Sequence, residues 1–285
     1  MTIMDPPASH ATVTQRLLNV AAARGDKPAL VGGAVLSPGQ RLSYADFGRM
    51  VQASAAGLAW RGVRSGDAVG VCVPDAASYA LAVHAIRAVG AVPSPICGAS
   101  PVTGMAAQLS DCGARLIITG PPLVPAVLAA AERSWVRQVI SFGDEPETDP
   151  FGSLLSRGSQ QPAWCAAGEL ALLSYDIGPD GRLRRMPLTH DELAGRLRTL
   201  AAATPMSGQD VVITAPPAGA GRAYSVLVDL ALLEGATIVA TSGTDITDTA
   251  HIADAARAYG GTAAIVHPGT SVPPGVSLRM VTAGC

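Results

Sequence analysis

Short apolar runs alternate with segments whose apolar residues recur at helical spacing. This alternation limits the available folds more than any other feature of the chain. Helical spacing predicts helices over 43–60, 76–89, 101–112, 123–133, 190–202, 222–233 and 247–259. Apolar runs predict strands over 68–74, 91–96, 115–119, 136–142, 170–175, 210–215, 236–240 and 262–266. Strands separated by helices of about 10–15 residues build βαβ units and a largely parallel sheet. AVGVCVP (68–74) is nearly all apolar, which suits a strand covered on both faces. Ser43, three residues before Asp46, is placed to cap the first of these helices. A polar stretch rich in proline, glycine and charge interrupts the pattern after 142. The expected architecture is α/β, with doubly wound, largely parallel sheets in two sub-lobes. They span 1–142 and 170–285, and 143–169 forms a loop or linker. RMVTA (279–283) reads as a further buried strand, and the chain stops directly after it, which looks like an interruption.

Composition narrows the function classes. With 285 residues, 48% of them hydrophobic, a sizeable core is expected. A net charge of −2 gives no overall attraction to nucleic acid or anionic membrane. No apolar run reaches the roughly 18–20 residues of a membrane span. MTIMDPPASH carries an acid and prolines where a secretion signal needs basic and apolar residues, so a cytoplasmic location is expected. Cys72, Cys97, Cys112, Cys165 and Cys285 are odd in number and lack metal-type spacing, which argues against a disulfide framework and a zinc site. Lys27 is the only lysine, and its polar setting, ARGDKPAL, reads as solvated surface. His84, His251 and Asp254 fall on helices and read as face or edge residues. His267 ends a strand without a partner. No nucleophile and base pair up, so neither a catalytic residue nor a metal ligand is assigned.

Residues 174–190, SYDIGPDGRLRRMPLTH, carry the strongest functional signal. An apolar run leads in, Gly178 and Gly181 bend the middle, arginines follow, and Thr189-His190-Asp191 opens a helix. A glycine-rich turn between strand and helix gathers backbone N–H groups and suits an anion. Asp176 and Asp180 oppose that use. Each carboxylate repels a nearby phosphate by about 1 kcal/mol in water-like dielectric, and more where water is excluded. An ordinary Gly-Pro-Asp-Gly turn accounts for the same residues. GAGRAY (219–224) offers a dinucleotide fingerprint, but Tyr224 replaces its third glycine and no acid ends the next strand.

Several segments, taken in order, resemble the adenylate-forming superfamily of acyl-CoA synthetases, 4-coumarate-CoA-ligase-like enzymes and peptide-synthetase adenylation domains. These are LSYADF (42–47), the stretch 57–96, QLSDCGARLIIT (108–119), DVVITAPP (210–217) and LLEGATIVA (232–240). The match resembles only the front portion of such an enzyme, as a truncated large N-terminal domain would. The resemblance implies that 175–190 corresponds to the loop that wraps the ATP phosphates, with ATP and Mg2+ as cofactors. Tyr175, Gly178, Gly181, Thr189 and His190 match the family pattern. Asp176 and Ile177 stand at its paired serines, Pro179 and Asp180 at its threonines, Leu183 at its proline and Arg184 at its lysine. The phosphate loop is therefore degenerate. Gly219 and Ala220 stand where the family carries aromatic acyl-pocket residues. The family's Thr-Glu motif and lysine-bearing C-terminal domain have no counterpart here. The expectation is an acyl-CoA-synthetase-like protein unable to adenylate a carboxylate alone. The alternatives are a split enzyme completed by a separate C-terminal domain or an acyl-carrier or CoA-linked partner, and a non-catalytic binding module.

Overall fold

The computed structural model describes residues 11–36, 40–159, 161–163, 165–166, 168–178, 180–214, 222–241, 250–266, 270–271 and 275–282. The chain opens with α1 (Val13–Arg24), β1 (Pro28–Val31), β2 (Arg41–Ser43) and α2 (Tyr44–Trp60). It continues through β3 (Ala68–Cys72), α3 (Ala76–Ala88), β4 (Val92–Pro95), α4 (Val102–Cys112), β5 (Leu116–Thr119), α5 (Val124–Ala131), β6 (Gln138–Ser141) and β7 (Asp149–Pro150). The later part runs β8 (Leu170–Ile177), β9 (Leu183–Thr189), α6 (His190–Ala203), β10 (Val211–Thr214), α7 (Arg222–Leu233), β11 (Thr237–Ala240), α8 (Ala250–Tyr259), β12 (Ala263–Val266) and β13 (Arg279–Thr282).

The α/β expectation holds, with two principal sheets. One has the order β4-β3-β5-β6-β7, with parallel pairings throughout. The other has the order β13-β12-β10-β11-β1-β2, parallel except for the antiparallel edge strand β2. β1 and β2 thus join strands of the later half, so pairing crosses the expected division between 1–142 and 170–285. Apolar periodicity identifies a strand but not its neighbour. The expected loop after 142 contains β7 and a 3-10 segment, Phe151–Arg157, which buries Phe151 and Leu154. β13 was expected to be buried but buries only Val281, because it lies at a sheet edge.

α3 packs against strands of both sheets and is buried along its whole length. Its sequence, AASYALAVHAIRA, explains this placement: small residues on every face allow close approach from both sides. Asp75 caps it by accepting from the Ser78 amide, and the same side chain accepts from the Ala34 amide at 2.8 Å. Ser43 caps α2 in the same way, as its spacing to Asp46 predicts. Behind α2, Gly57 lets the backbone of Leu154 approach so closely that a β-carbon would collide with it.

Lys27, expected at the surface, and His84, expected on a helix face or edge, both make contacts within the fold. Lys27 donates to the carbonyls of Gly208 and Gly235, which come from loops far along the chain. His84 is fully buried, with Nδ1 3.0 Å from Thr14 Oγ1 and Nε2 3.2 Å from Asp229 Oδ1. Asp229 also accepts from Arg87 at 2.8 Å, and Arg87 Nε donates to the Ala171 carbonyl at 2.8 Å. Thr14, His84 and Asp229 are arranged like a hydrolase triad, yet none is more than 2% exposed. No substrate reaches them, so the set ties α1, α3, α7 and β8 together.

Candidate functional site

The segment 174–190 forms a β-hairpin, which corrects the expected strand-to-helix turn. β8 and β9 pair antiparallel as a separate two-stranded sheet, with Tyr175 opposite Arg185 and Asp176 opposite Arg184. β9 escaped the sequence reading because RLRRMPLT lacks apolar alternation and contains a proline. The tip closes through Gly178 N–H to Arg182 O and Gly181 N–H to Gly178 O, both at 2.9 Å. Gly181 sits at φ +72°, a left-handed conformation that glycine adopts without strain.

The interior of this tip is already filled. Arg184 folds over Gly178, where even a β-carbon would strike its guanidinium. Asp180 Oδ1 lies 3.4 Å from Arg184 and accepts from the Arg182 amide at 3.3 Å. Asp176 Oδ1 accepts from the Ile177 amide at 2.8 Å. The Arg182 amide and the Arg184 guanidinium thus face a carboxylate of the loop itself, and no chemical step through ATP is derived from them. Among the described residues, no cluster of three or more His, Cys, Asp or Glu side chains could hold a metal ion.

A third acid holds the hairpin from outside. Asp111, near the end of α4, accepts from Tyr175 Oη at 2.6 Å and from Arg185 Nε, while Arg185 also donates to the Asp111 carbonyl. The Arg185 and Tyr175 hydrogen bonds hold the Asp111 carboxyl below its usual range. No local pattern marks this clasp, since its partners are 64 and 74 residues apart. At the base of the hairpin, Ser174 donates to the Met186 carbonyl at 3.0 Å. Thr189 caps α6 in a reciprocal box with Glu192. Its hydroxyl is thus committed to the helix. His190 follows, buried, and burial together with the Arg87 charge pushes its pKa down to about 4.

Tyr175, Asp176, Gly178, Asp180, Gly181, Arg184 and Thr189 therefore share one hairpin. Pro179 and the expected acyl-pocket positions Gly219 and Ala220 lie outside the described residues, as does His267. Next in sequence to that pocket segment, Arg222 and Ala223 line a groove of about 990 Å3 between β9, α6 and α7. Met186, Leu200, Val226 and Leu227 supply apolar walls, and Arg196 adds charge. Among the described residues, no helix is long and apolar enough to cross a membrane.

A family model described as AMP-binding enzyme matches residues 17–270. A feruloyl-CoA synthase from Amycolatopsis sp is 28% identical over 216 residues, covering 74% of this chain and 41% of that protein. Among solved structures, a long-chain-fatty-acid-CoA ligase from Archaeoglobus fulgidus superposes with a TM-score of 0.80 at 24% identity, covering 91% of this chain and 52% of that one. An anthranilate CoA ligase solved with anthranoyl-AMP gives 0.78 at 17% identity, covering 94% and 52%. At these identities the structures establish a shared fold. The chain spans about half the length of the relatives it matches or less.

Proposed function

Because the chain belongs to the AMP-binding enzyme family, we propose that it is an acyl-CoA-synthetase-like scaffold that does not adenylate a carboxylate on its own. One observation carries this reading: the Asp180 carboxylate takes the Arg182 amide and the Arg184 guanidinium inside the hairpin tip. A phosphate entering there must displace a carboxylate of the same sign and lose part of its hydration. Neither the hydroxyls nor the lysine of the family loop are present to offset that loss. The groove beside α6 and α7 retains space and apolar walls for an acyl or aryl group.

Calorimetry with ATP and Mg2+ tests the reading. The expected result is no binding heat at millimolar ATP for the natural sequence. The variant D176S/D180T, which restores hydroxyls and removes both charges, is expected to bind measurably. A dissociation constant at or below tens of micromolar for the unchanged chain overturns the proposal.

The family match favours a second reading, in which this chain forms part of an ATP-using enzyme together with a lysine-bearing C-terminal domain. ATP-pyrophosphate exchange that arises only when a lysine-bearing C-terminal domain is added supports it.

A further inference from the structure

The loops that lead into β3, β5 and β6 share one edge of the parallel sheet and bring together an unusual set of side chains. Arg64 precedes β3, Arg115 precedes β5, and Arg133 and Arg137 precede β6, all exposed. The loops are joined: Arg137 N–H donates to the Arg115 carbonyl at 2.8 Å, and Gln138 Nε2 donates to the Arg61 carbonyl at 3.3 Å. Between them lies a concavity of about 320 Å3 lined by Arg61, Arg115, Arg137, Asp67 and Gln138. Arg61 pairs with Asp149. Among the described residues, Arg64, Arg115, Arg133 and Arg137 pair with no carboxylate. Trp60 and Trp135 flank the same loops and are 63% and 60% exposed. Arg157 covers one face of Trp60, its guanidinium 3.7 Å from the ring centroid.

Arginines at this edge also complement the C-terminal dipoles of α2, α4 and α5. That role needs no tryptophan, and the Trp135 indole and the face of Trp60 that Arg157 leaves open put apolar area in water. Tryptophan and arginine together are the residue types that dominate binding energy at protein interfaces. The chain as a whole carries a net charge of −2, so these arginines are not part of an overall basic surface. A small concave patch of that kind matches a discrete acidic segment better than an extended polyanion.

We infer that the β3-β5-β6 leading edge is a docking surface for an acidic polypeptide segment. Its carboxylates meet Arg115 and Arg137, and its apolar side chains rest on Trp60 and Trp135. This inference rests on surface residues separate from the hairpin, so it stands whether or not ATP binds.

The test uses the full chain and a fluorescein-labelled peptide of alternating Glu and Leu, followed by anisotropy. Saturable binding that weakens as salt rises is expected. R115E/R137E is expected to weaken it about tenfold or more, and W60S/W135S by a similar factor. R198E, on α6, is expected to leave it unchanged, and circular dichroism checks that each variant is folded. Absent binding, or binding that survives both double variants, overturns the inference. Phosphatidylserine vesicles or an oligo-dT strand that bind more tightly than the peptide, with the same sensitivity to both double variants, overturn the assignment to a polypeptide.

Discussion

His190 shows how one position can match a family pattern and serve packing. It lies at the hairpin's exit, only 7% exposed, and its Nδ1 has no hydrogen-bond partner among the described residues. Its folded pKa, lowered to about 4 by burial and by Arg87, lies below the 6.5 of a free imidazole. Between those values the unfolded chain binds the extra proton, so stability is full above the unfolded pKa and falls as pH drops toward 4. The loss is expected to reach about 1–3 kcal/mol, by the roughly 1.4 kcal/mol each pKa unit represents. Urea denaturation at pH 7 and pH 4.5 measures it, and His190→Gln is expected to flatten the difference. An unchanged slope in that variant assigns the pH dependence elsewhere. The Thr-His boundary was legible in the sequence as a helix start, and Thr189 fulfils that role. The burial of His84 was not legible, because its partners Thr14 and Asp229 are contributed by α1 and α7.

At the scale of elements, the hairpin is held at two points. Arg87 fixes its base through the Ala171 carbonyl, and Asp111 clasps its flank through Tyr175 and Arg185. The clasp is exposed, so its contribution to global stability is small, about 0–1 kcal/mol. Its effect is local. Asp111→Ala is expected to leave the urea midpoint nearly unchanged while hydrogen exchange speeds up in β8 and β9 near Tyr175 and Arg185. Equal exchange in both proteins would show that strand pairing alone sets the hairpin's order. Glycine spacing made the bend legible. What stayed hidden was where side chains turn: the fold of Arg184 over Gly178 depends on three-dimensional space that spacing does not encode.

At the scale of the whole molecule, packing between helices and loops decides how closely the two sheets and their covering elements approach. Gly57 is one such contact, because the backbone of Leu154 occupies the space of its missing side chain. Gly57→Ala gains helix propensity yet forces α2 away from Phe151–Arg157, for an expected net loss of about 1–3 kcal/mol. A thermal melt measures it, and a raised midpoint would show that the segment yields freely. The alternation of strands and helices made the α/β class legible. Sheet order was not, because β1 and β11 are both short apolar runs and neither sequence names the other as neighbour. Lys27 closes the same circuit, joining the chain's beginning to Gly208 and Gly235. As the only lysine, it is also the only side-chain amine that acylating reagents can modify. Burial and the Arg24 charge lower its pKa, which leaves more of the reactive neutral amine at a given pH. Labelling with an activated ester at controlled pH, read at Lys27 by peptide mass, therefore reports on this one seam. A rate that changes when urea opens the chain measures how far the two carbonyl contacts shield the amine, and an unchanged rate shows that they do not.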